Sequence, residues 1–226
     1  MTDAEKQALK DEIVRERGYW APFHAVLLER DPDFLKAYIA FQAAPSRSGV
    51  LPQKLCEFIY IAIDTSVNHM YERGGRRHME FALKAGASEA EVLQVILLTT
   101  VLAAHHPIDL GLAILADRLG AQSARSLLDA VPELARGYDA YHDAVWECGP
   151  LSRKEKELVA LAVCAAPTCL HEPGMRRHID GALEAGATAA EIAAVLQLAA
   201  ALAIHTCTIA VPGFDDVVNG KTVGAS

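Results

Sequence analysis

Displaced against itself by one hundred residues, the chain repeats its polar positions without a gap between Pro32/Pro132 and His105/His205. Lys54, Glu57, Glu72, Gly74, Arg76, Arg77, His78, Gly86, Glu91 and His105 fall on Lys154, Glu157, Glu172, Gly174, Arg176, Arg177, His178, Gly186, Glu191 and His205. Cores tolerate many apolar exchanges of similar volume, so agreement at apolar positions alone would say little. Agreement at charged residues and histidines means that both halves place those groups alike. The fold is therefore duplicated, and the Glu-x-Gly-x-Arg-Arg-His run makes a duplicated site the hypothesis to test.

The caps and apolar spacings inside the repeat are helical. Thr2-x-x-Glu5 reads as a capping box opening an N-terminal helix, and Asp31-Pro32 as an Asx cap followed by proline at the first helical position. The first helix of each copy carries Phe34, Tyr38 and Phe41, or Leu134, Tyr138 and Tyr141, at the i, i+4, i+7 spacing expected of a buried face. A second helix starts at Leu51 or Leu151, where Ser152-x-x-Glu155 is a capping box, and carries Glu57 or Glu157. A third is expected from about Gly74 or Gly174 to Gly86 or Gly186. Ser88-x-x-Glu91 and Thr188-x-x-Glu191 then cap a fourth, ending at His105 or His205 ahead of Pro107 or Pro212. The expected class is all-α, two tandem helical repeats packed as one pseudo-symmetric unit. A joint at Gly120–Ser123 divides residues 1–122, an N-terminal arm plus the first repeat, from residues 123–226, the second.

Composition excludes several functions. The core is aliphatic, with 52% hydrophobic but only 6% aromatic residues, and the net charge of -8 without a basic run argues against a nucleic-acid partner. The polar N-terminus lacks a signal-peptide pattern. The apolar stretch Val92–His105 falls short of the ~20 residues of a membrane span, so no membrane is expected. Five cysteines without a Cys-x-x-Cys pair fit reduced thiols and a cytoplasmic protein.

Most of the histidines gather around the loop between helices two and three or at the end of helix four; His24 and His142 stand apart. His78 and His178, expected in the first turns of helix three, would be kept neutral by the positive end of the helix dipole, the form a general base requires. Glu72 and Glu172, six residues earlier, would hold the imidazole; a purely structural loop-closing hydrogen bond is the alternative. Arg76-Arg77 and Arg176-Arg177 lie where a carboxylate or phosphate would bind.

With Glu57 or Glu157 upstream, His78-x3-Ala82-Leu83-x-Ala85-Gly86-Ala87-Ser88-x2-Glu91 and its copy from His178 to Glu191 resemble the carboxymuconolactone decarboxylase family, within the alkyl hydroperoxidase D-like superfamily. The resemblance spans roughly residues 31–118 and 131–213. The Cys-x-x-Cys-x3-His motif of the peroxidase members is missing, so dithiol peroxidase activity is not expected. The decarboxylase-type motif stands as His171-Glu172-x5-His178, two residues longer than the family pattern; in the first copy Tyr71 replaces His171 and His69 lies two residues earlier.

The resemblance implies a lyase or isomerase of small-molecule catabolism that needs no cofactor and moves protons on a small carboxylated lactone or enol-type acid. The candidate catalytic residues are His78, Glu72, His69 and His105, with His178, Glu172, His171 and His205. His105 and His205, with the helix-three amides, would stabilise an enolate-like oxyanion, and Arg77, Arg177, Glu57 and Glu157 would contact substrate. Two alternatives stay open. One is a divalent metal such as zinc on His69, His78, His105 and Glu72, or on His171, His178, His205 and Glu172; the other is an idle binding or assembly protein. Superfamily resemblance also implies a homo-oligomer, three tandem chains replacing a ring of six units.

Overall fold

A computed structural model describes residues 1–221, and every regular element among them is helical. An arm of α1 (Asp3–Arg17) and α2 (Pro22–Arg30) leads into the first copy: α3 (Pro32–Arg47), α4 (Gln53–Thr65), α5 (Glu72–Lys84) and α6 (Glu89–Leu119). A short α7 (Ala124–Asp129) connects to the second copy: α8 (Pro132–Trp146), α9 (Arg153–Ala165), α10 (Glu172–Glu184), α11 (Ala189–Ala200), a 3-10 turn at Ala201–Ile204, and α12 (His205–Val218). The capping boxes at Thr2, Ser88, Ser152 and Thr188 form, and the Asp31 carboxylate caps Phe34 N–H at 3.0 Å.

The two central helices, α4 and α9, pack on each other across the pseudo-twofold and bury almost every side chain, including Phe58, Ile59, Ile61, Leu158 and Leu161. A second, smaller cluster fastens the arm: Leu9, Ile13, Phe23, Leu27 and Leu28 close over Leu35 and Ile39 of α3. The arm thus covers the first copy, and α7 provides no such cover for the second.

Three sequence expectations change. The buried stripe of α3 is Leu35, Ile39 and Gln42, one position round from the aromatic one, which leaves Phe34 and Phe41 largely exposed; Leu134 and Tyr141 are exposed on α8 for the same reason. Helix four of the first copy does not end at His105, because apolar residues continue at helical spacing past Pro107 and the helix tolerates the loss of one N–H. In consequence α6, and likewise Ala189–Val218, are long and apolar enough to cross a membrane by length and composition, although about a third of the relevant α6 window is buried in the protein core. Finally, α5 and α10 start at residues 72 and 172, two earlier than expected, which moves His78 and His178 into the second turn, away from the free amides of the helix end.

Candidate active site

Each copy carries a buried carboxylate–imidazole pair, between α4 and α5 in the first and between α9 and α10 in the second. His78 Nδ1 lies 2.6 Å from Glu57 Oε2, and His178 Nδ1 lies 2.7 Å from Glu157 Oε2. A carboxylate only accepts, so the imidazole donates from Nδ1 and keeps a lone pair on Nε2, the opposite nitrogen. Burial, partly countered by Glu57, pulls the His78 pKa below its ordinary value and keeps it neutral near pH 7. The rings are clamped flat, His78 on Tyr60 at 4.5 Å and His178 on Trp146 at 5.5 Å between centroids.

These pairs correct the assignment of Glu72 and Glu172 as the orienting groups. Both sit on the exposed first turn of their helix, bonded to Arg76 and Arg176. Glu57 and Glu157, expected on substrate, are instead the histidine partners. Two of the amides expected to stabilise an oxyanion are occupied: Gly174 N–H donates to His171 Nδ1 at 3.1 Å and Gly75 N–H to the Tyr71 carbonyl at 3.0 Å.

The last helices are exchanged between copies. His205 of α12 reaches the first copy's loop, where its Nδ1 is 2.7 Å from His69 Nε2 and its ring packs on Tyr71. His105 and His106 of α6 reach the second copy, His105 stacking on Tyr138 at 4.1 Å and His106 on His171 at 4.2 Å. Neither copy therefore assembles the histidine set expected from its own sequence: His105 does not join His69 and His78, and His205 does not join His171 and His178. Each loop turns through one residue at positive φ, Met70 and Leu170, and Gly74 and Gly174 bring the next helix close; a Cβ at Gly74 would lie 2.1 Å from Asp64 Oδ2.

The two sites differ in access. In the second copy one cavity of about 310 Å³ is lined by His105, His106, His142, Trp146, Arg177, Glu157 and His178, so His142 belongs to the site rather than standing apart. In the first copy Arg17, Gln42, Tyr60 and His78 wall off an inner chamber of about 100 Å³, beneath Tyr19, Pro22 and Phe23, from an outer groove. Arg177 is fixed by Asp109 of α6 at 2.8 Å, and Asp109 accepts from Tyr138 Oη at 2.5 Å. Arg77 lies over the Tyr19 ring at 3.8 Å. His105 Nε2 is buried with no hydrogen-bond partner among the described residues.

Asp64, Cys164, Asp109 and Trp146 escaped the sequence reading, and His106, expected to serve the first copy, lies in the second. A carboxylate closing the apolar run Ile59–Ile63 was the one available signal for Asp64. Burial pushes the thiols of Cys56 and Cys164 up to about 12 and those of Cys169 and Cys207 upward, away from the nucleophilic thiolate.

Duplicated helical units, each burying a Glu–His pair, define a class that the comparisons identify. The carboxymuconolactone decarboxylase family profile matches residues 32–116 and 132–205, and the chain belongs to that family. A crystal structure from Burkholderia xenovorans LB400, of a protein provisionally assigned as a gamma-carboxymuconolactone decarboxylase subunit, is similar with a TM-score of 0.84 and 28% identity, over 96% of this chain and 98% of that one. Among curated proteins no significant match is found.

Proposed function

We propose that the chain is a decarboxylase or isomerase that moves one proton on a small carboxylated lactone or enol-type acid, and that the second copy's cavity is where it does so. The observation that carries this reading is the 310 Å³ space lined together by the Glu157–His178 pair, Arg177, His105 and His106. Small-molecule pockets run from about 300 to 1,000 Å³, a range that admits this cavity. The first copy's outer groove of about 560 Å³ also lies in it and borders Glu57 and His78, but Arg77 lines only the 100 Å³ inner chamber, so the first copy does not bring its arginine and its Glu–His pair into one space. The provisional assignment of the Burkholderia protein as a decarboxylase subunit supports the same class of chemistry.

In this scheme Arg177 holds the substrate carboxylate with the N–H groups not given to Asp109. His178 Nε2 takes a proton from the adjacent carbon, and Glu157 stabilises the imidazolium that forms. The electron pair moves into the neighbouring carbonyl, whose oxygen lies on the side of the cavity lined by His105 and His106. Return of the proton at another carbon completes an isomerisation; in decarboxylation the carboxylate leaves as carbon dioxide, the C–C bonding pair moves into the same carbonyl, and the resulting enolate carbon takes a proton that His178 has drawn from solvent water. The first copy, with its divided cavity, contributes little turnover.

The exposed apolar residues of α6, α8 and α12, among them Ile114, Leu134, Ile209 and Phe214, support a homo-oligomer, for which we favour three chains. We assign this surface to further copies in a cytoplasmic protein rather than to lipid.

The test is carbon dioxide release, together with deuterium uptake from heavy water, on a panel of carboxylated lactones. His178→Ala should remove nearly all turnover, about 10²-fold or more, and His78→Ala a minor part. Equal partial losses, or a dead His78→Ala beside an active His178→Ala, would overturn the assignment of the working copy.

A further inference from the structure

Asp64 ends an otherwise apolar stretch of α4 and is 2% exposed, yet no hydrogen bond within the described residues reaches its carboxylate. Burial pushes this carboxyl up to about 7, with Arg77 pulling the other way, so its ionised form gains from a cation held against it. What faces it is imidazole nitrogen. His69 Nε2 and His205 Nδ1 each lie 3.9 Å from Oδ1 and share a hydrogen bond of 2.7 Å, whose proton an ion would displace to the far nitrogen of the donating ring. His78 Nε2 approaches the other oxygen at 4.0 Å.

We propose that Asp64, His69 and His205 bind a divalent transition-metal ion of the zinc class, under the N-terminal arm, with an open position toward the inner chamber of the first copy. Two imidazoles and a carboxylate form a donor set suited to such ions, and three protein ligands leave a place for water or a small ligand. Bonds of about 2.0–2.1 Å in a tetrahedron set donor atoms roughly 3.3 Å apart, so the ion needs shifts of roughly half an ångström. The free chamber space of about 100 Å³ accommodates a bound water beside the ion. His78, with Nδ1–H already on Glu57, has the orientation that carboxylates impose on histidines beside a metal.

This set replaces Glu72 and His105 of the sequence-derived one with Asp64 and His205, and it does not depend on the proton-transfer reading of the second copy. A related cluster, His106, Cys164 and His171, lies at the equivalent place in the second copy. There the Gly174 amide takes the lone pair of His171 Nδ1, which puts the proton on Nε2 and leaves that ring no free lone pair. The ion therefore belongs to the first copy.

The experiment strips the full chain with chelator, titrates it with Co²⁺ and then Zn²⁺, and reads bound metal by elemental analysis and the cobalt d–d absorption. Wild-type protein should take up one ion per chain; Asp64→Asn and His69→Ala should each weaken binding at least ten-fold, while Cys164→Ser and His171→Ala should not. His69 sits on a half-buried loop, so His69→Ala decides the matter if Asp64→Asn fails to fold. No uptake by wild-type protein, or uptake indifferent to His69→Ala, would overturn the proposal. So would a thiolate-to-cobalt charge-transfer band that disappears in Cys164→Ser, since it would place the ion at the other cluster.

Discussion

Glu157→Gln changes one atom and reverses the logic of the Glu157–His178 pair. Glu157 is 2% exposed; its Oε2 takes the His178 Nδ1 proton at 2.7 Å, and its Oε1 receives Arg153 Nε at 2.7 Å and Nη2 at 2.6 Å. The carboxylate thus accepts on both oxygens, whereas an amide accepts on one side only. Arg153 can only donate, so the amide oxygen turns toward it and the NH₂ faces His178. Nδ1 must then accept, the proton moves to Nε2, and the nitrogen facing the cavity loses its lone pair. The hydrogen bond to a charged group contributes about 1.5–3 kcal/mol, which sets the expected loss of folding stability. Loss of the base should lower kcat by about 10²–10⁴-fold, with KM little changed because Arg177 is untouched. Nitrogen NMR of labelled histidine reads the tautomer without substrate: Nδ1–H for His178 in the wild type, Nε2–H in the variant. A wild-type His178 protonated at Nε2, or a variant with kcat within two-fold of wild type, would refute the reasoning.

Stability should fall in mild acid. Burial, with Arg17 and Arg77 nearby, holds His24 at about 4, and burial beside His171 and His178 holds His106 at about 4, although Asp109 pulls the other way. Unfolded imidazoles bind protons near pH 6.5, so below that the unfolded chain binds more and stability is lost down to about 4. Each histidine can cost up to about 1.4 kcal/mol per pH unit in that window, and water around His106 reduces its share. Urea midpoints at pH 7 and pH 5 measure the effect; an unchanged or higher midpoint at pH 5 would contradict it. In the proposed assembly, Ile209→Asp with Phe214→Asp should shift light scattering from three chains toward the 24.3 kDa monomer while helicity by circular dichroism stays intact. A wild-type chain that is already monomeric would contradict the assembly itself.

Helix boundaries marked by a polar cap were legible, as at Thr2, Asp31, Ser88, Ser152 and Thr188. Helix α2 was not, because its cap residue is Ala21, whose amide donates to the His24 ring at 3.2 Å in place of a side-chain cap. The repeated histidines and arginines were legible too, since polar identity at a fixed displacement is rare. Their partners were not. Glu72 is near His78 along the chain, but a helix start points its side chain to water; Glu57 is twenty-one residues away and lies one helix across. A displacement of one hundred residues says that two histidines are equivalent, and it cannot say that His205 crosses to the first loop and His105 to the second.

That crossing ties the fate of the two halves together. Cut in the joint between α6 and α7, the chain would give one piece with His69 and His78 but without His205, and another with His171 and His178 but without His105 and Asp109. Each piece would be missing a wall of its own site while carrying one that belongs to the other. A gene fragment encoding a single copy should therefore yield a partner-seeking half whose sites appear only on mixing. Any change at His205 is in effect an edit to the site of the first copy, so the halves could acquire different chemistry without gaining independence.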